Sequence, residues 1–308
     1  MRLAWFSASG ATRRGDAAID PSNDTGLLIR ALMARHTIEV IDEPRAHDFV
    51  WQHARNPFDL CVFELGGTRA QDFIAPYAVH YPGLVMLRGV PRHDRALQAS
   101  RMVVVPYEPV AQALSDDYPG VRVRTLAPGV EPLPDAAPPV IAALSWPPDG
   151  AALTYAMAGF AAGRAVIVFD GPETADWPSL DPQNWEPRGL AHMVPGLNRT
   201  GTETWHPRGQ TPICVSIDPR DEAHSLRLAL RRLDGDSALR ARLGSAAHTW
   251  WREHATVERA ARGFEVLLEE ARDAPDPIGL KADEGSTLAH RILGEFGIGP
   301  RALDLGSA

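Results

Sequence analysis

The sequence predicts an α/β protein of two lobes, each built on a parallel sheet. Three observations carry this expectation. Short apolar runs alternate with stretches of helical periodicity along most of the chain, the pattern of successive β-α-β units. Residues 128–139 hold five prolines and little apolar periodicity, which marks a linker between two such series. The length, 308 residues, suits about two domains.

The first series opens with an apolar strand, Leu3–Phe6, and a Ser/Gly/Arg loop from Ser7 to Asp24. A helix follows at Thr25–Arg35, with Leu27, Leu28, Leu32 and Met33 spaced to face a core, and then a strand at Thr37–Ile41. This β-loop-α-β start predicts parallel strands and right-handed crossovers. Helical spacing at His47–Ala54 precedes a strand at Leu60–Glu64, and Gly66-Gly67-Thr68 breaks the chain before a helix at Gln71–Tyr81. Strands recur at Leu84–Leu87 and Met102–Pro106. A helix at Pro109–Asp117 has its proline in the first turn, where no N–H is needed. A strand at Val121–Leu126 ends this half. Beyond the linker come a strand at Val140–Leu144, a turn at Trp146–Gly150, a helix at Ala152–Ala162 and a strand at Ala165–Phe169. The polar, Pro- and Trp-rich segment Gly171–Gln210 reads as an irregular folded excursion or an active-site loop. A strand at Ile213–Ile217 and helices at Glu222–Leu233, Ser237–His254 and Val257–Ala271 complete the pattern; the tail beyond Pro275 has a short amphipathic stretch, Thr287–Phe296.

Composition excludes several function classes. With 44% hydrophobic and 23% charged residues the chain has ample material for a core. A net charge of −8 argues against general nucleic-acid binding. No apolar run reaches the ~18 residues of a membrane span, and the N-terminus turns polar too soon for a signal peptide. Cys61 and Cys214 lie in separate apolar runs and read as buried free thiols in a reducing cytoplasm. Lys281 is the only lysine and no GK[ST] occurs, so a P-loop is excluded; anions must be held by arginines, backbone N–H groups or helix N-termini.

The order of several segments resembles the bacterial GT-B glycosyltransferases of the retaining kind. In the second half these are Ala161-Ala162-Gly163-Arg164-Ala165-Val166-Ile167-Val168, Ile217-Asp218-Pro219, Leu239–Gly244, and Trp250-Trp251 leading into Thr256–Arg259. The first half adds the opening MRLAWFS, Tyr81–Val85 and Val103–Val110. The resemblance implies two Rossmann-like lobes facing across a cleft, with an acceptor on residues 1–132, a nucleotide-sugar on residues 133–272 and a tail at 273–308. It implies a last helix that crosses back to the first lobe, and transfer with no metal and no cofactor beyond the donor. The sequence also departs from that pattern. The linker runs almost directly into the Trp146–Gly163 segment, so the second lobe is expected to be shortened. The family's two glutamates before the Ala-Ala-Gly are replaced by Gly150 or Ala151 and by Ala158; no glutamate occurs between Glu131 and Glu173, and the nearest acid is Asp149. Arg88-Gly89 replaces a His-Asp pair.

Candidate residues follow from strand ends, where open α/β sheets bind ligands. Gly10, Arg13, Arg14 and Gly15 in the first loop form an anion cradle or a solvated connection. Glu64-Leu65-Gly66-Gly67-Thr68 ends a strand expected to be central, and its glycines form a tight turn into the next helix, or a place where a ligand or another backbone approaches closely. Arg88, Arg92, His93 and Asp94 make a polar cluster after the next strand, with His93 beside Asp94 suited to proton transfer or to a solvated helix start. In the second half, Asp149, Gly150, Arg164 and Asp170 are the groups left to take over donor binding. Asp218, Asp221, Glu222 and His224 read as helix capping by Asp221 rather than metal binding. Trp250-Trp251 reads as interface packing, while Trp146, Trp177, Trp185 and Trp205 read as core residues or sugar platforms.

These readings leave two function classes: a metal-independent glycosyltransferase acting on a small or lipid-linked acceptor, and a non-catalytic relative binding a sugar or a partner chain. A shortened lobe exposes sheet edges that homodimerisation or residues 171–210 would cover. Limited proteolysis is expected to cut first within Pro128–Pro139 or Gly171–Gln210; first cleavage inside Ala152–Ile167 would refute the lobe boundary.

Overall fold

The computed structural model describes residues 1–7, 24–66, 72–88, 93–145, 150–171, 174–175, 177–188 and 211–277. In chain order the first lobe holds β1 (Arg2–Phe6), α1 (Asp24–Leu32), β2 (Thr37–Ile41), α2 (Ala46–Arg55), β3 (Leu60–Gly66), α3 (Ile74–His80), β4 (Leu84–Arg88), α4 (Asp94–Gln98), β5 (Met102–Val105), α5 (Glu108–Asp117) and β6 (Val123–Thr125). The second holds β7 (Val140–Ala143), α6 (Gly150–Ala161), β8 (Ala165–Phe169), β9 (Ser179–Leu180), β10 (Pro187–Arg188), β11 (Cys214–Ile217), α7 (Glu222–Gly235) and α8 (Ser237–His254), and α9 (Val257–Asp273) follows.

The expected α/β class holds. The first sheet is ordered β2-β1-β3-β4-β5-β6 with every neighbouring pair parallel. The second is ordered β10-β9-β11-β8-β7 and is parallel except for the β9–β10 hairpin at its edge. Parallel strands need both faces covered, and β3 is buried at every position from Leu60 to Gly66. One face packs Phe6, Phe63, Ile74, Tyr77 and Leu97 into a core under α2–α5. The other packs Leu3, Trp5, Val62 and Met86 under α1 and α9.

Helix α9 therefore belongs spatially to the first lobe, as the resemblance implies. Its apolar residues Ala260, Ala261, Phe264, Leu267, Leu268 and Ala271 recur at helical spacing and are all buried. Phe264 meets Trp5 with ring centroids 5.3 Å apart. The chain thus passes between the lobes twice, and the two passages are bonded together. The Val130 N–H donates to the Ala255 carbonyl at 3.0 Å, and the Trp251 indole N–H donates to the Val130 carbonyl at 3.1 Å. A Cβ on Gly129 would sit 2.7 Å from the Val257 Cα, so this contact needs glycine.

Some elements differ from the expectation. Met33 is 44% exposed rather than in the core, because α1 ends at Leu32 and Met33 starts the turn that follows. Helix α3 starts at Ile74, later than periodicity suggests. Within 171–210 the described part holds the β9–β10 hairpin and a buried Trp177, which packs on Phe160 and Trp250.

Phe264→Ala should destabilise the protein by about 3–5 kcal/mol in urea denaturation, the range for an aromatic core truncation. Gly244→Ala should also destabilise it, because the added Cβ would lie 2.0 Å from the Gly163 carbonyl oxygen. Wild-type stability in Phe264→Ala would show that α9 does not seal the first sheet.

Candidate functional site

The order β2-β1-β3 places a reversal of strand order between β1 and β3, and crevices in open α/β sheets form at the carboxyl end of such a switch. A buried polar network occupies this point. Glu64 lies inside β3 and is only 3% exposed. A carboxylate there must be hydrogen-bonded or paired. The Ser7 hydroxyl, just past β1, donates to Glu64 Oε2 at 2.5 Å, and the Thr25 hydroxyl in the first turn of α1 donates to Oε1 at 2.8 Å. Arg88, at the end of β4, puts Nε 3.5 Å from Glu64 Oε1 and donates from Nη1 to Asp24. Burial by itself would lower the Arg88 pKa; Asp24 and Glu64 more than reverse this and hold the guanidinium above its ordinary value. The cation is thus permanent and fixed, yet its side chain stays 23% exposed.

The chain leaves this network at Ser7 and returns to it at Asp24, so the expected anion loop is anchored here at both ends. Gly10, Arg13, Arg14 and Gly15 themselves lie outside the described residues. Gly66 sits directly beside Arg88 in the β3–β4 register and is buried; Gly67 and Arg92 lie outside the described residues. A small, partly open cavity of about 30 Å³ lies against Asp24 and Arg88. Its other walls include Pro128 and Gly129 of the linker and Ala260 of α9, so the network sits beneath the passage between the lobes.

His93 does not pair with its sequence neighbour. Its Nε2 lies 3.1 Å from Asp72 Oδ1, while Asp94 accepts from the Tyr118 hydroxyl at 2.8 Å. A carboxylate on one ring nitrogen orients an imidazole for proton transfer at the other. Sequence reasoning missed Asp72, which lies 21 residues away with no local pattern to connect it. It also leaves out Asp24 and Thr25, and it singles out the Glu64–Thr68 strand end and the Ser7–Gly15 loop for their glycines and arginines rather than for the Glu64 carboxylate and the Ser7 hydroxyl, although a lone carboxylate in an apolar strand is a usable signal.

In the second lobe, Gly150 opens α6 and Asp170 follows β8 as a buried residue whose N–H donates to the Ile217 carbonyl. Asp149 lies outside the described residues. Arg164 is not brought to Asp170: it precedes β8 at the opposite end of the strand, and its Nη2 donates to the linker carbonyl of Asp135 at 2.9 Å. The capping expectation is corrected by one turn. Asp221 makes no side-chain cap, whereas Asp218 accepts from the Arg220 N–H at 2.8 Å and caps the 3₁₀ turn Pro219–Asp221. Trp250 packs inside the second lobe and Trp251 bonds the linker; Trp146 and Trp205 lie outside the described residues. Both cysteines are free and buried, and burial pushes the Cys61 thiol up to about 12, which makes it a poor nucleophile. Among the described residues no group of three potential metal ligands forms and no helix is long and apolar enough to cross a membrane.

No protein-family model and no curated protein sequence matches the chain. Among solved structures it is similar to a sucrose-phosphate synthase from Thermosynechococcus elongatus, with a TM-score of 0.56 at 12% identity, over 87% of this chain and 98% of that one. The likeness is one of fold: two Rossmann-like lobes with parallel sheets, the GT-B-like arrangement.

Replacing Arg88 by Met should cost about 3 kcal/mol, since it leaves two carboxylates without their cation. Adding Glu64→Gln should recover a good part of that loss in the double variant. A loss under about 0.5 kcal/mol, ordinary for a surface change, would show that the network does not stabilise the fold.

Proposed function

We propose that the chain is a GT-B-type glycosyltransferase that moves a sugar from a nucleotide-sugar to a small or lipid-linked acceptor without a metal. The observation that carries this reading is the fold likeness, which spans 98% of a protein named for the synthesis of a sugar phosphate. Residues 1–132 would serve the acceptor, and 133–272, apart from the returning α9, the donor. Arg88, held in place by Asp24 and Glu64, fixes the orientation of the remaining guanidinium N–H groups at the strand ends, although the two carboxylates outweigh its charge. In this reading the His93–Asp72 couple, with its 3.1 Å contact, would take a proton from an acceptor hydroxyl. The N–H groups at the start of α6, with Asp170 nearby in the sheet, are what the second lobe offers a diphosphate and a sugar.

One observation favours a second reading, a non-catalytic protein that keeps the scaffold to bind a sugar or a partner. Helix α6 carries no acid, with Ala158 where the resembled family has a glutamate, and Arg220 beside β11 is tied to Asp218. Loss of one preorganised stabilising donor typically costs on the order of 10² to 10³ in rate. Transfer is therefore expected to be slow.

The test combines calorimetric titration of UDP, GDP and ADP with release of nucleotide from their sugars over hours. Binding of a nucleoside diphosphate with turnover far below about 1 s⁻¹ is the expected result. Absence of both binding and release would overturn the transferase reading and leave the second. Turnover near the usual enzymatic range would overturn the second reading and point to Asp149 or Asp170 for the missing roles, since Arg164 lies at the far end of β8.

A further inference from the structure

We infer that the second lobe carries a separate binding site for an acidic saccharide, a pyranose bearing a carboxylate, in the groove between the β9–β10 hairpin and the α7–α8 turn. The groove is open, with a volume of about 460 Å³, within the size range of small-ligand pockets. Its walls are Leu180, Trp185, Arg232, Asp236, Leu239 and Arg242, together with Ala238. It shares no residue with the network at the β1/β3 switch, and the inference does not depend on the transferase reading.

The backbone is strained where the indole is presented. Trp185 has φ of 60°, the left-handed region that a bulky side chain rarely adopts. Such conformations persist where the surroundings enforce them, and they cluster at ligand sites. Here the enforcement is local. The Trp185 N–H donates to the Asp181 carbonyl at 2.7 Å, and the Asp181 N–H donates to the Glu186 carbonyl at 3.0 Å.

The ionic groups are unequal in a way that selects an anion. Both oxygens of Asp236 are engaged: Oδ1 accepts from the Leu239 N–H at 2.9 Å, capping α8, and Oδ2 pairs with Arg232 at 3.1 Å, so its charge is compensated. That pair also holds the Arg232 guanidinium 6.0 Å from the centre of the Trp185 ring. Arg242 has no hydrogen bond or ion pair to any described residue. The groove therefore offers one uncompensated guanidinium, suited to bidentate pairing with a carboxylate, beside an amphipathic indole. A saccharide acid fits both features: its C–H face can lie on the indole, its carboxylate can pair with Arg242, and its hydroxyls can bond the remaining polar atoms.

The experiment is ligand-observed NMR on the full chain with D-glucuronate, D-glucose, inorganic phosphate and UMP as probes. Glucuronate is expected to bind more tightly than the other three. Arg242→Gln, an exposed substitution that should leave thermal unfolding unchanged, is expected to weaken glucuronate at least tenfold and to erase its advantage over glucose. Trp185→Asn removes the indole but tolerates the positive φ, and is expected to abolish binding of both sugars. Phosphate or UMP binding as tightly as glucuronate would overturn the proposal in favour of a simple anion or nucleotide site. Wild-type glucuronate binding in both variants, or none in the wild type, would overturn it outright.

Discussion

A carboxylate buried in the middle of a fully covered parallel strand is the constraint on which the first lobe turns. Glu64 cannot be left without partners in that environment, and β3 alone supplies none. Its partners come from three other elements: Ser7 after β1, Thr25 at the start of α1, and Arg88 at the end of β4. Satisfying one side chain therefore fixes the carboxyl ends of three strands and the entry of a helix relative to one another. The same requirement gathers polar groups at the one place in the sheet where strand order reverses, so the stabilising network and the candidate site share atoms. Arg88 joins the two, because the groups that stabilise its charge also hold it at the carboxyl end of the sheet.

The second organising feature is the passage between the lobes. The linker's prolines limit the conformations available to residues 128–139, and α9 returns the chain to the sheet where it began. Val130, Trp251 and Ala255 bond these two passages together, and Gly129 allows the close approach to Val257. The burial of Phe264 against Trp5 makes the first lobe incomplete without the far end of the chain. The small cavity below the crossing touches Asp24 and Arg88 on one side and Gly129 and Ala260 on the other.

The second lobe is organised differently. Its core is aromatic at one end, where Phe160, Trp177 and Trp250 interlock, and its sheet ends in a short antiparallel hairpin. That hairpin covers the edge of β11, and the turn that closes it presents Trp185. Edge protection and ligand presentation are thus served by the same few residues, at the cost of one strained backbone position.

The sequence by itself determined the alternation of strands and helices, the linker and the amphipathic last helix, because these rest on periodicity and on proline's fixed geometry, which are local properties. It also pointed to strand ends as the place to look, and so to Arg88, His93, Gly66 and Asp170. Only the tertiary structure decided which of those groups meet. His93 pairs with Asp72 and not with its neighbour Asp94; Asp218 and not Asp221 makes the cap; Arg164 binds the linker at the far end of β8 from Asp170. The physical reason is the same in each case. A hydrogen bond or ion pair depends on where two side chains are brought in space, and strand order, register and helix termini set that position through contacts distant in sequence.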